Sequence, residues 1–149
     1  MTDISGAPAD DLGIDSKLVE QIQTRVLTAG DEELYKGIAE QLPPDQQEIV
    51  AQAAGIKLPS PVQIGKAFHD KIMPQVKYGV CHKAKYCKNR GRFETAAQIT
   101  ALAAKYTADA ITTAFNIPIP YPGEAAGLLV ETTALVLKKG LNNLCGCPD

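Results

Sequence analysis

Tryptophan is missing from this chain of 149 residues, and its aromatics amount to three Phe and five Tyr. So little aromatic content, beside abundant Ala, disfavours a β-sandwich and suits closely packed helices. No uninterrupted apolar run approaches the roughly 18 residues that a spanning helix needs, so membrane insertion is not expected. The opening residues MTDISGAPADDLG are polar and acidic, without the apolar centre of a secretory signal. They fit an intracellular chain, or a mature form expressed behind a new Met. A P-loop, a glycine fingerprint and a Ser-His-Asp signature are also lacking, as are internal repeats, so nothing argues for an enzyme.

The length fits one compact domain able to bury a core. The net charge of -2 hides a segregation: residues 1–50 carry 11 acidic and 3 basic side chains, residues 51–100 carry 9 basic and 2 acidic. Either the acidic N-terminal helices pack on the basic centre and neutralise it, or a basic patch faces an acidic or phosphate-bearing partner. The pI of 5.7 lies well under the value above roughly 9 typical of nucleic-acid-binding domains.

Residues 1–13 read as a flexible leader and 14–149 as one helical domain. Asp15 or Ser16 caps a first helix with Leu18, Val19, Ile22 and Val26 at helical spacing, stopped by Gly30. A second opens on Asp31, Glu32 and Glu33, buries Leu34, Tyr35, Ile38 and Leu42, and breaks at Pro43-Pro44. A third, starting at Pro44, should bury Ile49, Val50, Ala53 and Ala54. Ser60-Pro61-Val62-Gln63 is a capping box opening a fourth, with Ile64, Ala67, Phe68 and Ile72 inside and Pro74 kinking or ending it.

Two long helices follow, separated by the Pro-rich NIPIPYPG. In the first, Glu94 to Asn116, the polar Glu94, Gln98, Lys105, Asp109, Thr112 and Asn116 form a narrow wet stripe. The second runs from about Glu124 to Asn142, with Glu131 and Lys138 on its wet side and Leu128, Leu129, Leu135, Val136 and Leu141 inside. The expected fold is all-α: a bundle of five or six helices with a long C-terminal antiparallel hairpin.

That hairpin returns Cys145 and Cys147 to the neighbourhood of Cys81 and Cys87, which makes a four-cysteine cluster. Two disulfides crossing between the pairs are the favoured outcome and imply a secreted, oxidising setting; three connectivities remain open. The alternative is a cytoplasmic zinc site of Cys81, Cys87, Cys145 and Cys147, with His82 as a substitute ligand, although the spacing within each pair is atypical. The layout of Cys81 with Cys145-Gly146-Cys147 resembles that of A-type iron–sulfur carrier proteins, which implies an iron–sulfur cofactor. Those carriers are β-rich, whereas this chain reads helical.

The segment around the first cysteine pair mixes cations with rings: Lys77, Tyr78, Lys83, Lys85, Tyr86, Lys88, Arg90 and Arg92, followed by Phe93. It is the best candidate for a binding surface, able to neutralise acidic groups or phosphates and stack bases. The leading expectation is a non-catalytic helical domain, stapled by cysteines, that engages a protein or acidic partner through residues 77–93; nucleic acid is a lesser candidate. A metal-binding protein comes second; third is a carrier of small apolar molecules between the hairpin and the earlier helices, or a membrane-active helical protein. His69 and Asp70 are chain neighbours pointing apart on a helix, so they form no ready acid–base dyad, and His69 is expected at a helix edge. Cys81-His82 is likewise a neighbour pair without a catalytic geometry.

Overall fold

A computed structural model describes residues 14, 16–57, 60–93, 95–115 and 124–147. Among these are seven α-helices and no strand: α1 Ser16–Thr28, α2 Asp31–Gln41, α3 Pro44–Ala53, α4 Pro61–Tyr78, α5 Ala96–Phe115, α6 Glu124–Lys139 and α7 Leu141–Cys145. A π-helical turn, Gly79–Lys83, continues α4, and a 3-10 turn, Arg90–Arg92, precedes α5. The chain is all-α. The leader 1–13, the capping position Asp15 and the Pro-rich connection all lie outside the described residues.

Close approaches set the helix register. Gly127 meets Gln41 and Gly37 meets the Glu131 carboxylate, while Lys138 reaches Asp31 and the Ala29 carbonyl, so α6 runs antiparallel to α2. Phe68 stacks on Phe115 at 4.5 Å, and Gly79 faces the Tyr106 ring, so α5 runs antiparallel to α4. Between α2 and α4 the backbones nearly touch at Gly65, where a Cβ would overlap the Tyr35 carbonyl. One core joins these helices, with Ile22, Leu34, Ile38, Phe68, Ile72 and Leu102 almost fully buried at its centre.

The Ser60–Gln63 capping box forms as its sequence dictates. Several other expectations are corrected. Of the two outcomes expected at Pro74, ending the helix does not occur: Pro74 lies within α4 on an exposed face, and buried Ile72, Val76 and Val80 carry the apolar stripe past it. Losing one N–H costs a helix less than abandoning that burial. Ile49 is 51% exposed, and Ala53 and Ala54 are exposed too, because α3 packs chiefly on α4 and buries only Val50 and Ala51.

Gln98 leaves the wet stripe entirely, at 1% exposure. Its side chain accepts from the Thr95 N–H at 2.9 Å while its own N–H donates to the Thr95 hydroxyl at 3.1 Å. That second capping box starts α5 and satisfies a buried amide. Finally, the last long helix stops at Lys139. Gly140 has φ 88, a left-handed value that a glycine accepts readily, and the single turn α7 follows.

Candidate functional site

The break at Gly140 turns the terminal cysteines towards the π turn. Cys81 bonds Cys145 and Cys87 bonds Cys147, each pair with Cα atoms 5.3 Å apart. The cross-pairing expected from the hairpin is therefore present, and the connectivity is settled. With all four sulfurs in S–S bonds no thiolate is available for zinc or an iron–sulfur cluster. Among the described residues no group of three His, Cys, Asp or Glu side chains is placed to hold a metal, His82 included. His82 instead lies against the Tyr78 ring, 5.3 Å between centroids.

The segment between the two bonded cysteines is built from the inside outwards. Val80 is fully buried, and Tyr86 and Phe93, each 6% exposed, pack near each other and anchor the loop to the core. Tyr86 is thus part of the core rather than of a binding surface. Asn89 closes the intervening turn by donating its side-chain amide to the Ala84 carbonyl at 2.9 Å. The π turn is accommodated because Gly79, lacking a Cβ, admits the Tyr106 ring.

Around this frame Lys77, Tyr78, His82, Lys83, Lys85 and Lys88 are exposed, and Arg90 is half-buried; the Arg92 side chain lies outside the described residues. The Lys83 ammonium sits 5.9 Å from the Tyr78 ring centre. Lys85 has φ 52, the one positive φ at a non-glycine among the described residues.

Among the described residues, two carboxylates of the N-terminal helices pair with cations elsewhere. Glu33 pairs with Arg25, and Asp31 lies 4.0 Å from Lys138. Among the described residues no carboxylate lies within 4.0 Å of Lys77, Lys83, Lys85 or Lys88.

One feature was not legible in the chain. His69 is half-buried at the α2–α4 seam: its side chain is 13% exposed and its ring meets Tyr35 edge-on at 5.9 Å. Asp70 lies 3.5 Å from Nδ1, at the limit of a hydrogen bond, and among the described residues neither ring nitrogen has a closer polar partner. Burial holds the imidazole below its ordinary pKa, against the opposing pull of Asp70. His69 lines a cleft of about 560 Å³ that also touches Lys77, Lys139 and Leu144.

Elsewhere, a mainly apolar groove of about 390 Å³ lies between α1, α5 and α6, walled by Val26, Leu27, Ile99 and Leu137. Among the described residues no helix is long and apolar enough to cross a membrane. Compared with protein-family models, curated proteins and solved structures, the chain matches none of them.

Proposed function

We propose that this chain is a non-catalytic binding domain whose stapled basic segment, residues 77–93, engages an acidic segment of a partner protein. The observation that carries this reading is four exposed lysines, with no carboxylate within 4.0 Å among the described residues, on a segment held by two disulfides and buried anchors. A loop held in this way loses little conformational entropy when a partner docks. The paired cysteines suit an oxidising compartment, outside the reducing cytosol.

Lys85 adds a specific argument. Left-handed backbone costs an ordinary residue about 1–2 kcal/mol, and glycine escapes that cost. A lysine at such a position is poorly explained by stability and better explained by what its side chain contacts. The test separates the two roles. Lys85→Gly should leave stability within about 1 kcal/mol of wild type, strain relief being offset by the freer unfolded chain. Its affinity for a fluorescein-labelled hexaglutamate peptide should fall, and wild-type binding should weaken as salt rises. Unchanged affinity in Lys85→Gly and in Lys83→Gln/Lys88→Gln would overturn the proposal. Stronger retention of single-stranded DNA than of the peptide would reassign the partner to nucleic acid.

A further inference from the structure

The cleft beside His69 adjoins this surface and has the chemistry to hold a carboxylate. Lys77 belongs to the basic segment, whereas Lys139 arrives from the end of α6. Leu144 directly precedes Cys145, so the bond to Cys81 holds that wall of the cleft against the π turn. No carboxylate lies within 4.0 Å of either lysine among the described residues.

Asp70 on its own helix, Tyr35 and Asp31 on α2 and Lys139 on α6 act on His69, while Lys77 lines the same cleft and α7 contributes the apolar Leu144. Two lysines thus line a cleft in which Asp70, the one lining carboxylate among the described residues, would oppose a highly charged phosphate more than a single carboxylate. Met73 and Leu144 offer apolar walls that suit the methylene stem of a glutamate.

We infer that this cleft is the anchor of the binding surface: a carboxylate side chain of the partner seats between Lys77 and Lys139, over the edge of His69. The inference rests on the reading of residues 77–93 as a binding surface and extends that surface to a residue outside the segment. The positive charge of Lys139 already disfavours protonation of His69, so a carboxylate bound there must favour it.

The chain has two histidines, His69 and His82, so their ring protons are readily told apart by NMR of the full chain, with His69→Gln as the assignment. Titrated with hexaglutamate, the midpoint of His69 should rise. Lys139→Gln should bind the peptide about fivefold more weakly and lose this response, as should Lys77→Gln. A thermal melt of each variant confirms that the fold is retained. Wild-type affinity in Lys139→Gln, with binding still reduced in Lys83→Gln/Lys88→Gln, overturns the anchor and leaves the basic surface standing. No binding of hexaglutamate by the wild-type protein overturns both.

Discussion

Arg25 and Glu131, 106 positions apart, form a two-pronged ion pair: Nε donates to Oε2 at 2.8 Å and Nη2 to Oε1 at 2.7 Å. It fastens α1 to α6, and the acceptor is the more sheltered partner, with 12% of the Glu131 side chain exposed against 28% for Arg25. The Arg25 guanidinium, drawn further above its usual pKa mainly by its hydrogen bond to Glu131, stays charged throughout. Arg25→Met should cost about 2–3 kcal/mol, because it strands a sheltered carboxylate, whereas the double variant with Glu131→Leu should recover part of that loss. Urea denaturation of the four-protein cycle reads the coupling. Strict additivity would mean that the pair holds nothing together.

Gly65 sets helix propensity against packing. Alanine is favoured over glycine inside a helix by about 1 kcal/mol, so propensity alone predicts that Gly65→Ala stabilises. The Cβ, however, would overlap the Tyr35 backbone, which has no rotamer by which to move away. The variant should therefore lose several kcal/mol by separating α2 from α4. Gly91→Ala, with nothing within 4 Å of the added carbon, should melt close to wild type. Equal melting temperatures for the two variants would refute the close crossing.

The two disulfides overlap. They close loops spanning 64 and 60 positions. Either alone should constrain the unfolded chain by about 4 kcal/mol in the loop-entropy model, but once one is present the second closes only a short loop, worth about 2.5. Cys145→Ser and Cys81→Ser should consequently lose the same amount, about 2–3 kcal/mol. Breaking both bonds should cost about 6–7, more than the sum of the two single losses. Denaturant midpoints of the single, paired and quadruple serine variants distinguish this from independent staples.

His69 makes the fold sensitive to acid. Its folded pKa is depressed from 6.5, chiefly by burial, while the unfolded chain accepts the proton near its ordinary value. The unfolded state then binds more protons, so stability falls as pH drops below about 6.5 and continues to fall until the folded pKa is passed. Melting temperatures between pH 7.5 and pH 5 should decline in the wild type and decline less in His69→Phe, which keeps an aromatic ring against Tyr35. Parallel declines in both would assign the acid sensitivity to other groups.

Helical periodicity, proline and glycine punctuation and the Ser60–Gln63 box determined the helical class and most helix starts, because these are local preferences expressed within one or two turns. The hairpin, and through it the meeting of Cys81 and Cys87 with Cys145 and Cys147, followed from two long apolar patterns on either side of a Pro-rich stretch. Tertiary structure alone decided which carbon and nitrogen atoms were sheltered. Ile49 reads as core but has too little above it, whereas Gln98 reads as surface but is drawn inside by its bonds to Thr95. Tyr86 was withdrawn from the surface in the same way, by packing near Phe93. His69 and Lys139 come from α4 and α6, and no spacing along the chain brings them to one cleft. Local backbone preference is written into neighbouring residues; burial and charge pairing depend on what the rest of the chain places opposite them.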